Sequence, residues 1–256
     1  MVYTYNQGVV LSGLRGLWLA TGERSYLEDG HELVGRVVQA TGWDDRDAEG
    51  RGWQGLGRGG VLEEYCDSGG GCSQDGQTFK GIFFHHLAEF CRGLWGAEEE
   101  FVSGKDAKVN SRGGGGGFDQ QTWEYHLCRC DGYRDWVEHN ARAAARTRDE
   151  EGRFGMWWGR EYPDNGTGTG TGTGEEEGQE WKKPPALPAG AVDYANSPAA
   201  DGAYQRIPPA PDGRSPESGR GRRDANDRGR GRTVETQSGG VAVLRARWQW
   251  ESGAGV

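Results

Sequence analysis

The sequence has few hydrophobic residues and no hydrophobic run long enough to cross a membrane. Only 34% of its 256 residues are hydrophobic, and no stretch reaches the ~18 apolar residues that a membrane span needs. The residues after Met1 lack the charged and apolar regions of a signal peptide. We therefore predict no membrane span and no signal peptide, and we expect part of this polar chain to remain unfolded.

Positive charge is also in deficit. The chain has 30 Lys and Arg against 39 Asp and Glu, for a net charge of -9. Because nucleic-acid binding depends largely on neutralising phosphates, this balance argues against such a partner. The Arg- and Gly-rich stretch 219–232 could favour RNA, but it has no interleaved aromatic residues. We interpret it as a solvated linker and predict no nucleic-acid partner.

Cysteine is scarce as well. Five cysteines are too few for a disulfide scaffold. Cys66 and Cys72, six positions apart, are the best candidates for a disulfide, and the spacing leaves both the bridged and the free form open. His126 and Cys130 are one helical turn apart and could ligate zinc, but their surroundings match no closed zinc module. We predict core cysteines, surface histidines, no metal site and no cofactor.

Glycine is abundant, with 47 residues, and it separates five segments that have the period of an amphipathic helix. No alternating pattern of comparable strength predicts a strand, so the expected fold class is all-α. The predicted stripes include Val10, Leu14, Leu17 and Trp18 in the first helix and Val241, Leu244 and Trp248 in the last. The predicted helices cover residues 8–21, 26–38, 78–95, 119–147 with a possible break at Gly132, and 233–248.

Low-complexity sequence divides the chain near its end. Residues 165–232 contain Thr-Gly repeats, a Glu run and Arg-Gly repeats, a composition that cannot bury a core. We predict that residues 1–164 and 233–248 form one domain, with a disordered insertion at 165–232 and a tail at 249–256. Residues 43–61 also lose all periodicity, and we interpret them as a loop.

Four stretches of the sequence together resemble a known family. They are YTYNQGVVLSGLRGLWLATGERSYLEDG, GVLEEYCDSGGGCSQDGQTFKGIFFHHLAEF, FGMWWG and ETQSGGVAVLRA, which are similar, in this order, to the C-terminal half of glycoside hydrolase family 76. The resemblance implies a partial (α/α)6 toroid. It also implies a mannan endo-1,6-α-mannosidase-like enzyme that acts on α-1,6-linked mannose in cell-wall mannan or mannose-rich glycans, secreted or in the cell wall.

The resemblance also implies where catalysis takes place. Family members use two adjacent aspartates in a Trp-Asp-Asp motif that precedes the YNQG motif, and no such motif precedes Asn6 here. Asp44 and Asp45 follow Trp43, but they come after a complete predicted helical hairpin, in a Gly-rich loop, so we interpret them as solvated. We predict no catalytic residue and expect a truncated enzyme. The alternative is an inactive carbohydrate-binding protein.

The resemblance further implies a set of substrate-binding residues, each with a structural alternative. The residues of the YNQG segment could instead cap a helix, and the two acidic residues could be solvated. The lysine, which could lie at the rim of a cleft, should either snorkel or pair with a carboxylate because its helix is otherwise apolar. The tryptophans could pack between helices instead of stacking on sugars. The set is Tyr3, Tyr5, Asn6, Gln7, Glu64, Asp75, Phe79, Lys80, Trp157 and Trp158.

Overall fold

The structure is a computed structural model that describes residues 2–44, 53–68, 70–102, 119–161, 226 and 231–253. Over these residues the chain is mostly helical, which confirms the all-α class. Two strands of two residues each, β1 (Gly57–Arg58) and β2 (Val61–Leu62), pair antiparallel. The helices are α1 (Thr4–Thr21), α2 (Ser25–Ala40), α3 (Phe79–Cys91), α4 (Gly96–Val102), α5 (Gln120–Asp131), α6 (Arg134–Arg146) and α7 (Val234–Ser252).

Helices α1, α3 and α7 lie side by side and run in the same direction. From α1 to α3, Ser12 Oγ lies 2.7 Å from His86 Nδ1, and Arg15 donates to the carbonyl of Phe90 at 3.2 Å. Helices α3 and α7 are also parallel. Gly81 contacts Gly239 near the start of both helices, and further along both of them Gln249 donates to the carbonyl of Ala88 at 2.8 Å. The N-termini of all three helices therefore lie at one end of the layer.

Glycine makes these two parallel contacts close. A Cβ added to Gly8 would lie 2.7 Å from the Cα of Phe83, and one added to Gly81 would lie 2.5 Å from the Cα of Gly239. Real Cβ atoms essentially never come this close to backbone. The glycine of the YNQG segment is thus required by the packing of α1 on α3.

A second layer covers one face of these helices. Gly22, with a φ of 74°, ends α1 in the left-handed conformation that glycine favours, and α2 returns along α1. Helix α6 runs antiparallel to α7, since Arg134 donates to the carbonyl of Trp250 at 2.7 Å and Arg247 lies 3.6 Å from Glu138. Helices α5 and α6 are separated at residues 132–133, where the sequence predicts a break.

The buried faces of the first and last helices differ from the predicted stripes. In α1, Val10 and Leu17 are 49% and 46% exposed, because the helix turns Gly8 toward α3 and buries a neighbouring face. In α7, Val241 and Trp248 are exposed, because Gly239 approaches α3. The stripes predicted through Val10 and through Val241 were therefore wrong. The buried faces contain Thr4, Gly8, Leu11, Arg15 and Trp18 in α1, and Thr236, Gly239, Gly240, Val243, Ala246, Gln249 and Trp250 in α7.

Two predicted irregular regions contain described residues. The β1–β2 hairpin lies at the end of the predicted loop 43–61, where the sequence carries no strand signal. Within the predicted insertion 165–232, the side chain of Asn226 accepts a hydrogen bond from the backbone N–H of Trp157 at 2.7 Å, and Arg232 pairs with Asp149 at 3.3 Å. Residues 165–225 and 227–230 lie outside the described residues, so their disorder stays a prediction.

A chain of buried hydrogen bonds connects α2, α3 and α5 with Tyr133, the residue that precedes α6. His126 Nε2 lies 2.9 Å from the carbonyl of Phe90 and must donate to it, which leaves Nδ1 of a neutral ring as an acceptor. His31 Nε2, at 2.9 Å, donates to that Nδ1, and the hydroxyl of Tyr133 donates to His31 Nδ1 at 2.8 Å. We call His31, His126 and Tyr133 the histidine chain. Its members are buried, which corrects the prediction that His126 is a surface residue.

Burial acts strongly on the histidine chain. It lowers the pKa of His31 to about 3 and that of His126 to about 4, and it raises the pKa of Tyr133 to about 12. The charged neighbours Arg129 and Arg15 lower the two histidine pKa values further. All three side chains are therefore uncharged near pH 7.

Candidate active site

The predicted site residues come together at the end of the molecule where α1, α3 and α7 begin. Tyr3 precedes α1, Phe79 begins α3, and Thr233 precedes α7. The hydroxyl of Thr233 donates to the side chain of Gln77 at 2.7 Å, which fixes the start of α7 beside that of α3. Residues 53–68, 70–74 and 154–158 cover the same end. Helix N-termini carry partial positive charge, so this end favours acidic side chains.

A cluster of buried charged side chains occupies this end, and we call Glu63, Glu64, Asp67 and Lys80 the charged cluster. Lys80 Nζ lies 2.6 Å from Asp67 Oδ2, with the two side chains 1% and 0% exposed. The same carboxylate oxygen accepts the backbone N–H of Glu64 at 3.0 Å. Burial raises the pKa of the Asp67 carboxyl, and the nearby Lys80 ammonium opposes that rise. Of the two alternatives for Lys80, the structure shows the pairing with a carboxylate.

Glu64 holds the start of α1. Tyr3 is the N-cap residue of α1, and its side chain makes no capping hydrogen bond to the first turn. Glu64 Oε1 caps the helix instead, because it accepts hydrogen bonds from the backbone N–H of Thr4 at 3.0 Å and from the Thr4 hydroxyl. Burial raises the pKa of Glu64 to about 7, while Lys80 and the Thr4 hydroxyl oppose the rise. Glu64 is therefore buried, and the alternative of a solvated surface residue is wrong.

Glu63 faces the opposite direction, toward residues 157–159. Its carboxylate lies 3.3 Å from the Arg58 guanidinium, and the Trp157 side chain also favours its charged form. A Cβ added to Gly159 would collide with this carboxylate, so the glycine after the two tryptophans makes room for it. Burial raises the pKa of Glu63 to about 7, and Arg58 opposes the rise.

Three aromatic rings lie above the start of α3. The ring centroids of Tyr5 and Phe79 are 4.5 Å apart, those of Tyr3 and Phe79 are 5.2 Å apart, and those of the two tyrosines are 6.3 Å apart. All three rings are half-buried, so each presents part of an apolar surface and the tyrosines also present a polar hydroxyl group. Such surfaces suit the apolar faces of sugars.

The other predicted binding residues occupy different environments. Asn6 and Asp75 are exposed. The side-chain amide of Gln7, with its nitrogen turned toward the backbone, donates to the carbonyls of Tyr3 and Thr4 at 2.6 and 3.2 Å. Trp158 is buried against Phe84 at 6.0 Å, and Lys80 Nζ lies 5.2 Å from a Trp158 ring centroid, whereas Trp157 is half-buried. The sugar-binding roles of these residues stay predictions.

Two disulfides stabilise the surroundings of the site and the core. Cys66 and Cys72 are bonded and close the loop that carries Asp67. Cys91 and Cys130 are also bonded and connect α3 with α5, a pairing that the sequence did not reveal because the two residues are 39 positions apart. Cys128 is free and exposed.

Two groups among the described residues have metal-like spacing, and both contain disulfide sulfurs. One is His31, His126 and Cys130, and the other is Cys66, Asp67 and Cys72. A sulfur in a disulfide is not the thiolate that binds metals, so neither group is a ligand set in this form of the chain.

Several residues of the site were missed at the level of sequence. Thr4, Arg58 and Glu63 carry no motif, and their roles depend on partners that are distant along the chain. Asp67 had one indirect signal, because a lysine in an apolar helix either snorkels or pairs with a carboxylate. Asp44 is exposed, and Asp45 lies outside the described residues.

Comparison with known proteins gives one match. The family model described as Glycosyl hydrolase family 76 matches residues 1–97. No curated protein and no solved structure matches the chain. Within the described residues, no helix has the length and apolar character of a membrane span. The matched segment includes α1 to α3 and the charged cluster, so the family assignment rests on the part of the chain that forms the candidate site.

Proposed function

From the match of residues 1–97 to the model of glycosyl hydrolase family 76, we infer that the chain belongs to this family and propose a role on α-1,6-linked mannose. The chain is part of a mannan endo-1,6-α-mannosidase-like enzyme that acts on cell-wall mannan or mannose-rich glycans. The observation that carries this proposal is the family match over the same segment that supplies the aromatic rings and the charged cluster.

The geometry supports a binding role for the described site. Tyr3, Tyr5 and Phe79 form a partly exposed aromatic group at the helix starts, where a pyranose ring can stack. The charged cluster beneath is buried. Glu64 and Asp67 accept hydrogen bonds that position α1 and the loop with Asp67, and Glu63 pairs with Arg58, so we do not place these carboxylates in contact with a sugar. We therefore assign none of the described residues the nucleophile or the acid role that glycoside cleavage requires.

The architecture and the disulfides support two further parts of the proposal. Three parallel helices backed by antiparallel ones are what part of an (α/α)6 toroid requires, with residues 1–164 and 233–248 in one domain. The two disulfides favour an oxidising compartment, in keeping with a secreted or cell-wall protein. The alternative function is a catalytically inactive carbohydrate-binding protein, favoured by the absence of an exposed carboxylate pair among the described site residues.

The test is binding and cleavage with mannotetraose of defined linkage. The chain should bind the α-1,6-linked oligosaccharide more tightly than the α-1,2- or α-1,3-linked ones in isothermal titration calorimetry, and Tyr5→Ala should weaken that binding. Chromatography of the mixture then separates the two candidates, since release of shorter oligosaccharides indicates an enzyme and unchanged sugar indicates a binding protein. Equal or no binding of all three linkages would overturn the proposal.

A further inference from the structure

A second pair of aromatic side chains lies next to the candidate site, at positions that the sequence did not single out. Tyr65 is 50% exposed, although both of its neighbours are fixed. Glu64 bonds to Thr4, and Cys66 is held by the disulfide to Cys72. The backbone on either side of Tyr65 is thus restrained while its ring stands in solvent.

Trp53 completes this pair. Its ring centroid lies 6.1 Å from that of Tyr65, and the two rings are nearly perpendicular at 83°. The Arg58 guanidinium lies 5.9 Å from the Trp53 ring, and Arg58 is itself paired with Glu63. Two perpendicular rings with restrained supports form a corner, and we call it the Trp53–Tyr65 corner.

The corner lies beside the first aromatic group. Tyr3 directly precedes Thr4 and Tyr65 directly follows Glu64, so the hydrogen bond from Thr4 to Glu64 lies between the two groups. Each tyrosine Cα is one residue, or about 3.8 Å, from a member of that bonded pair. The corner and the Tyr3–Tyr5–Phe79 group therefore lie on adjacent segments at the same end of the molecule.

We propose that Trp53 and Tyr65 form a second sugar-stacking subsite, which takes a mannose unit of a chain whose neighbouring units contact the Tyr3–Tyr5–Phe79 group. A pyranose has an apolar face that stacks on one ring and an edge that meets the other, while the Tyr65 hydroxyl can bond a sugar hydroxyl. Restrained aromatic side chains lose little conformational entropy on binding. This inference rests on the proposed function, because it assumes an α-1,6-linked mannose ligand.

The test compares chain lengths and variants. Isothermal titration calorimetry with α-1,6-linked mannobiose and mannohexaose should give tighter binding of the hexaose by the wild-type chain. Tyr65→Ala should raise the Kd for the hexaose roughly tenfold, the effect of one lost aromatic contact, and should change that for mannobiose less than twofold. Tyr65→Phe should retain most of the hexaose affinity because stacking needs the ring.

Trp95→Ala is the matched control. Trp95 is 63% exposed but follows the C-terminal end of α3, about 20 Å from the helix starts, so its loss should leave both Kd values unchanged. Trp53→Leu provides a second variant that keeps apolar volume without a flat ring, and unchanged thermal unfolding confirms folding of each variant. Equal hexaose affinity in Tyr65→Ala, Trp95→Ala and wild type would overturn the subsite alone. Failure of the wild type to bind either oligosaccharide would overturn the proposed function and the subsite with it.

Discussion

The charged cluster and the histidine chain bury polar side chains in two different ways. At the helix starts, Lys80 and Asp67 form a buried pair at 2.6 Å, so opposite charges compensate one another. Near the C-terminal end of α3, His31 and His126 are buried without an acidic partner in the chain of hydrogen bonds, and each ring nitrogen that bonds is satisfied by a neutral group. The charged cluster thus contains a compensated ion pair, whereas the histidine chain consists of neutral groups.

The titratable groups of the two regions respond to pH in opposite directions, because burial favours the neutral form in both, and a carboxyl group is neutral when protonated whereas an imidazole is neutral when deprotonated. The pKa values of Glu63 and Glu64 are raised from 4.5 to about 7, so the folded chain holds protons that the unfolded chain releases, and stability falls as pH rises from about 4.5 to 7. The pKa values of His31 and His126 are lowered from 6.5 to about 3 and 4. The unfolded chain then binds protons that the folded chain cannot, and stability falls as pH drops below about 6.5.

The largest expected effect comes from removing the cation of the charged cluster. Lys80→Met keeps an apolar side chain of similar length but leaves the buried Asp67 carboxylate without its partner. Breaking a buried pair in this way costs about 3–5 kcal/mol. The measurement is the free energy of unfolding in urea at pH 7.

An exposed pair supplies the control for this variant. Arg24→Met removes a surface ion pair with Glu28, whose members are about half exposed, and should cost less than about 1 kcal/mol. The double variant Lys80→Met with Asp67→Leu should recover part of the lost stability, because no unpaired charge is then buried. A Lys80→Met chain as stable as the Arg24→Met chain would show that the charged cluster does not depend on its lysine.

The pH responses of the two regions give an effect of intermediate size. Glu64→Gln still accepts the Thr4 hydrogen bonds through its carbonyl but does not titrate, so its stability relative to wild type should rise by about 3 kcal/mol between pH 4.5 and 7.5. His31→Gln should instead gain relative to wild type as pH falls from 7 to 4. Urea unfolding across this pH range measures both slopes, and slopes of the same sign would contradict the comparison.

The sequence was informative where local signals agree with packing. The helical period predicted the helices other than α4, with a possible break near Gly132, because it depends on residues close in sequence. The apolar surroundings of Lys80 predicted that it either snorkels or pairs with a carboxylate, and it pairs with Asp67. The resemblance named the segments that form the candidate site, and the family match to residues 1–97 confirms that recognition.

Contacts between distant residues could not be predicted in the same way. The buried face of α1 includes Arg15, which hydrophobic periodicity assigns to solvent, because the carbonyl of Phe90 and the carboxylate of Glu98 receive its guanidinium. The face of α7 depends on the approach of Gly239 to α3. The partners of Glu64 and of Cys130 are 60 and 39 positions away, so no spacing rule identifies them.

The smallest expected effect sharpens the assignment of protons in the histidine chain. Tyr133→Phe keeps the ring and removes the hydroxyl that donates to His31 Nδ1, which leaves a buried acceptor without its donor and costs about 1–2 kcal/mol. Tyr65→Phe, at an exposed position, should cost less than about 0.5 kcal/mol.

Nitrogen NMR of the wild-type imidazoles should show the proton on Nε2 of both His31 and His126. The carbonyl of Phe90 requires a donor, which places the proton of His126 on Nε2, and the acceptor Nδ1 of His126 then places the proton of His31 on Nε2. A proton on Nδ1 of either ring would reverse the direction of the chain, and Tyr133 would then accept instead of donate.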